Sequence, residues 1–231
     1  MGDNQILFAA SQSWRTSFPT ACAGVLVMRK VANPAQHAGL ENQKGVLEDQ
    51  LRADFAGQER STLEALPVIR AYADYYRRFK KTYHVQLQLE SLVHKGKPLP
   101  RGAALVEAMF MAEVKNMLLT AGHDLDAVQP PITLDVAKGN ECYTLLRGQE
   151  QVLKAGDMLM RDRAGVISCI LYGPDQRTQI KADTRNVVFT VYAPPGIAEE
   201  TVQDHLHDIQ GYVRIIAPGA QTEMLQVFGA G

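Results

Sequence analysis

At 231 residues, with 46% hydrophobic and 21% charged side chains, the chain has an ordinary globular composition that disfavours intrinsic disorder. That length suits one large domain, and residues 1–231 are expected to form one. A formal net charge of -1 excludes nucleic-acid binding by bulk electrostatics, so any such contact has to be a local basic patch.

Gly24 to Val31 is rich in Val and Leu and predicts a strand, ended by Asn33-Pro34. Leu47, Leu51 and Phe55 recur every four residues, as in a short amphipathic helix that Gly57 stops. Ser61-Thr62-Leu63-Glu64 fits a capping box for a helix carrying Leu66, Ile69, Ala73 and Tyr76 on one face, with Pro67 in its first turn. After the Gly96–Pro100 loop, Leu105, Met109, Ala112 and Met117 mark a helix over roughly 103–119 whose methionine stripe reads as core. Beyond Gly122 the periodicity turns to strands. Ile132, Leu134 and Val136 alternate with polar neighbours, and the runs Val166–Leu171 and Val187–Tyr192 read as strands buried on both faces. Val202, Leu206 and Ile209 predict a last helix ended by Gly211, with Tyr212–Ala217 as a final strand. Met224–Phe228 is an apolar tail suited to covering a sheet edge, and Trp14 has no evident role. Helices fill the first half and strands the second, so the expected fold is α+β, a mixed sheet with packed helices.

Cys22, Cys142 and Cys169 form no CxxC, so neither a disulfide framework nor a zinc site is expected, and Cys169 reads as a buried small residue. No segment has the apolar length of a membrane span, and Met1–Gln5 does not open a leader peptide. A cytoplasmic protein with no membrane partner is expected. Oligomeric state is not legible.

No P-loop, GxGxxG, HExxH, GxSxG or EF-hand pattern occurs. His205 and His207 point to different helix faces and read as solvated, and His37 and His84 read as surface residues. Two clusters stand out. Gly122-His123-Asp124-Leu125-Asp126 is either a proton-handling site or a helix cap at Gly122 with turn-satisfying side chains. Tyr75–Tyr83 interleaves Arg77, Arg78, Lys80 and Lys81 with four aromatics, either to meet a nucleic acid or to complement a helix dipole over an aromatic core.

Across residues 90–192 the order of motifs resembles the tRNA-editing domain of the bacterial phenylalanyl-tRNA synthetase beta subunit, formed by that subunit's third and fourth B modules and also carried by small free-standing proteins. Glu90-Ser91-Leu92 matches a helix start, and Leu105-Val106-Glu107 a Leu-Val-Asp stretch whose later asparagine falls at Phe110. Asp124-Leu125-Asp126-Ala127-Val128 matches Asp-Leu-Asp-Lys-Ile. Ala137-Lys138-Gly139-Asn140-Glu141 with Gly148 matches Ala-Lys-Glu-Gly-Glu and its later glycine, and Asp162 falls on a recurrent aspartate. Thr184-Arg185-Asn186-Val187-Val188 matches Thr-x-Asn-Val-Leu. The synthetases' histidine and glutamate fall at Ala121 and Thr190.

The resemblance implies hydrolysis of a mischarged aminoacyl-tRNA, an activated ester needing a positioned water and no nucleophile, metal or cofactor. It assigns water activation to His123 oriented by Asp124 or Asp126. Gly122 and Gly173 are to admit close backbone approach, and Arg177, Thr178, Thr184 and Asn186 are to line the mouth. Arg77, Arg78, Lys80 and Lys81 are to steer the acceptor stem. The partner is tRNA or aminoacyl-tRNA, not DNA. The two departures keep a second expectation open: a non-catalytic module of the same fold that binds RNA, an amino acid or a small metabolite.

Overall fold

The computed structural model describes residues 8–230. Met1–Gln5, the segment read for a leader, lies outside the described residues. In chain order the elements are β1 (Phe8–Ala10), α1 (Gln12–Ser17), β2 (Cys22–Arg29), α2 (Ala38–Asp54), α3 (Arg60–Ala65), α4 (Pro67–Arg77), α5 (His84–Lys95) and α6 (Ala104–Asn116). Then come β3 (Thr120–Asp124), a 3-10 turn (Leu125–Ala127), β4 (Ile132–Val136), β5 (Cys142–Thr144), β6 (Glu150–Val152), β7 (Met158–Asp162) and β8 (Gly165–Cys169). The chain closes with β9 (Gly173–Pro174), β10 (Asn186–Ala193), α7 (Glu199–Ile216) and β11 (Gln221–Gly229). The α+β organisation is as expected: helices dominate the first half and strands the second.

The strands form a five-stranded mixed sheet, β1-β4-β7-β8-β9, in which β1 runs parallel to β4, and a four-stranded antiparallel sheet, β11-β2-β10-β3. A separate hairpin pairs β5 with β6. Helix α7 crosses the four-stranded sheet so closely that a Cβ on Gly24 would lie 2.7 Å from Val202. On the other face, the Tyr192 hydroxyl of β10 meets Ser168 of β8 at 2.6 Å, tying the two sheets together. The main core runs from Trp14 to Ala230 and takes in Met109, Met111 and the buried aromatics of α4. Trp14, without a role in the sequence, is a fully buried core residue. Cys169 is buried in a smaller cluster beneath the β5-β6 hairpin.

Several expectations are corrected. Ser61 caps nothing: it lies inside α3, whose N-cap is Glu59. The expected helix is two, because the residue before a proline is pushed out of the helical region, and Leu66 accordingly sits at ψ 133°. Gly122 is in strand β3 rather than a cap, and α6 ends at Met117 in the left-handed region (φ 60°). Residues 212–217 belong to α7, not to a strand; Val213 and Ile216 continue the spacing from Ile209. The final strand is β11, which pairs with β2 and covers that sheet edge. His205 is fully buried rather than solvated.

Candidate functional site

The Asp-Leu-Asp turn and the Thr-x-Asn segment do meet. Thr184 donates to Asp124 at 2.7 Å, and the Asn186 amide donates to both oxygens of Asp126 at 3.0 and 2.9 Å. Both acids are therefore engaged by the residues expected to line a mouth. Beside them Asp162, buried to 7% exposure, accepts from both terminal guanidinium nitrogens of Arg177 at 2.9 Å and from the backbone of Gln129, Ala164 and Gly165. Thr178 donates to Asp175, so its oxygen accepts from the Nδ1–H of His123, 2.7 Å away. That tautomer leaves His123 Nε2 buried with no hydrogen-bond partner among the described residues. Burial pulls the His123 pKa down to about 3, so its imidazole is neutral.

These residues make an internal polar lattice, and an open cavity lies elsewhere. Strand alternation sends Thr120 and Gly122 to one face of β3 and Ala121 and His123 to the other. The first face lines a cavity of about 410 Å³, and the second is the inter-sheet core. Helix α6 contributes Val106, Met109, Phe110 and Glu113 at the spacing of a single helical face. Of the residues expected at the site, only Gly122 and Gly173 reach this cavity; His123, Asp124, Asp126, Arg177, Thr178, Thr184 and Asn186 do not. Bareness matters at Gly122, where a Cβ would stand 2.8 Å from Ile180 and 3.2 Å from the Phe189 ring. At Gly173, φ is +81°, a conformation that favours glycine. Its strand approach is pinned from below. Tyr76 donates to Ile170 O and Tyr143 to Gly173 O, both at 2.8 Å, while buried Asp157 accepts from Leu171 N and the Tyr75 hydroxyl.

Sequence reasoning passed over two cavity residues. His84 stands exposed at the rim, its Nδ1 3.4 Å from the Tyr76 hydroxyl. It follows a run of aromatics without any motif to mark it. Glu113 carried a signal: it is an acid seven residues after Val106 on the apolar stripe of α6. Its Oε1 accepts from Thr120 N at 2.7 Å, and the Thr120 hydroxyl lies 2.7 Å from His205 Nε2. Burial pushes the Glu113 carboxyl up from 4.5 to about 8. A folded pKa above the unfolded value gives stability that is present below about pH 4.5 and lost as pH rises through 8. Between about pH 5 and about pH 9 the native chain should therefore lose on the order of 3 kcal/mol more than Glu113→Gln, measured by urea unfolding at each pH.

A second depression, of about 520 Å³, lies between α3, α4 and α5 and is lined by Arg60, Arg70, Arg77 and Lys81 together with Glu64 and Asp74. Lys81 Nζ also sits 4.3 Å over the ring of Tyr172, a cavity residue, so groove and cavity share a border. Of the four basic residues expected to meet RNA, Arg77 and Lys81 line this groove. Arg78 instead stacks on Phe18, Tyr75 and Phe79, and Lys80, at φ 56°, does not line the groove.

Taken together these features define an α+β domain with an apolar cavity between a helix and a sheet edge, bordered by a partly basic groove. The chain belongs to the B3/4 domain family, whose model matches residues 69–209, beyond both ends of the resemblance read from the sequence. Its fold is similar to that of an N-terminal fragment of the phenylalanyl-tRNA synthetase beta-subunit from Pyrococcus horikoshii, with a TM-score of 0.51 and 13% identity. The match covers 97% of this chain and 54% of the fragment, so the chain spans about half of its length. At that identity the likeness is one of fold. No curated protein matches the chain. Among the described residues, no helix is long and apolar enough to cross a membrane.

Proposed function

We propose that this chain hydrolyses the ester bond of a mischarged aminoacyl-tRNA, seating the aminoacyl group in the α6–β3 cavity. The cavity itself carries this reading. Its 410 Å³ falls in the range of small-molecule sites, and its walls are largely apolar with few polar groups, as such sites are. Arg77 and Lys81 line the adjoining groove, and in this reading they meet backbone phosphates. Family membership supports a tRNA-related role.

The chemistry asked of the protein is modest. Water adds to the ester carbonyl carbon, the bond to the ribose oxygen breaks, and that oxygen takes a proton. In this reading His84, exposed at the rim, takes the proton from water and returns it to the ribose. Gly122 and Gly173 let backbone approach the reacting group. In this reading His123, Asp124 and Asp126 act indirectly by holding the turn after β3.

The test is a deacylation assay against a panel of mischarged tRNAs, with His84→Ala alongside. Release that falls by roughly a hundredfold in the variant supports the reading; no release from any tRNA removes it. One observation favours a second reading, a binding module without turnover. Ala121 and Thr190, at the places of the synthetases' histidine and glutamate, face each other across β3 and β10 on the side away from the cavity. Measurable tRNA binding without release would select that module.

A further inference from the structure

We propose that the cavity recognises a primary α-ammonium group, with the Glu113 carboxylate as its counter-charge and the apolar walls taking the attached side chain. This deepens the reading above by naming what the site selects on the amino-acid side.

Glu113 is the one carboxyl among the residues that line the cavity. Its side chain is fixed: Oε1 is held by Thr120 N at 2.7 Å, and Thr120 is itself held by His205. No Lys, Arg or His side chain offsets the carboxyl charge among the described residues. An acid so placed costs stability in the empty protein, since burial penalises its charged form. An incoming cation removes that cost. The position adds to the attraction, because Glu113 lies in the last turn of α6, where the helix dipole also favours positive charge. The same cavity is lined by Val106, Met109, Phe110 and Ile180, which offer nothing to a polar substituent and fit an aliphatic or aromatic side chain. The combination fits an α-amine bearing an apolar side chain, and it rejects N-acylated forms, which carry no positive charge to meet Glu113.

L-Leucinamide and L-phenylalaninamide are suitable probes, because their amide replaces the labile ester and needs no RNA. By calorimetric titration, at least one should bind the native chain saturably. Binding should weaken roughly tenfold to a hundredfold in Glu113→Gln, whose amide oxygen still accepts from Thr120 N. N-acetyl-L-leucinamide and N-acetyl-L-phenylalaninamide should fail on the native chain, a result that does not depend on how the variant folds. Equal binding of acetylated and free amines, unchanged affinity in Glu113→Gln, or no saturable binding of either free amine would each overturn the inference. Deacylation that persists without amine selectivity would sink this inference and spare the function. Amine binding with no ester release would do the reverse.

Discussion

Asp162→Ala is expected to lower the unfolding free energy by about 3–5 kcal/mol. The carboxylate gathers three backbone N–H groups, from Gln129, Ala164 and Gly165, and both terminal nitrogens of Arg177. Alanine leaves the three backbone donors without this acceptor, while Arg177 keeps Ala127 O, and a buried unsatisfied polar group costs about 1–3 kcal/mol. The side chain of Arg177 is 34% exposed and can turn to water, so the loss falls mainly on the backbone donors. Asp162→Asn should cost less, because an amide oxygen still accepts. Urea unfolding with an unchanged slope measures both. A loss below about 1 kcal/mol for alanine would show that the lattice is dispensable.

The second large effect is on activity. Gly122→Val should reduce deacylation by about two orders of magnitude while leaving the fold in place. The new Cβ meets the flexible tip of Ile180 at 2.8 Å and the Phe189 ring at 3.2 Å. Ile180 has to give way, and it gives way toward the cavity it lines. Strand β3 tolerates a β-branched residue, and overpacking of this kind costs roughly 1–3 kcal/mol. Far-UV circular dichroism and the melting temperature separate a blocked cavity from an unfolded chain. Full activity in a folded Gly122→Val would place the reaction elsewhere.

Much of the fold was legible because burial patterns follow local periodicity. Ile132–Val136 alternates as β4 does, and the unbroken run Val187–Tyr192 is β10, covered on both faces. The C-terminal helix was cut short at Gly211, which is exposed and has open space where a Cβ would be, so it weakens α7 without ending it. Helix α5 begins six residues before the helix start that Glu90-Ser91-Leu92 suggests, and its first turns bury Val85 and Leu89.

The site was legible only in part, and the reason is the two-residue period of a strand. Gly122 and His123 are neighbours in sequence, so a motif points to both. Folding sends one to the cavity and the other into the core. Asp124 and Asp126 sit with Thr184 and Asn186, but their hydrogen-bonding capacity is spent on one another and none of the four lines the cavity. Glu113 was hidden by its company, since a stripe containing Leu105, Met109 and Ala112 reads as core whatever else it carries.

The most direct test of the cavity as the seat of the aminoacyl group is an amide NMR titration with a 3′-aminoacylamino-adenosine, whose amide linkage resists hydrolysis. Saturable shifts should centre on Thr120, Gly122 and Gly173 and extend through Tyr172 toward Lys81. Shifts centred instead on His123, Asp126 and Asn186, with the cavity amides unmoved, would contradict the account.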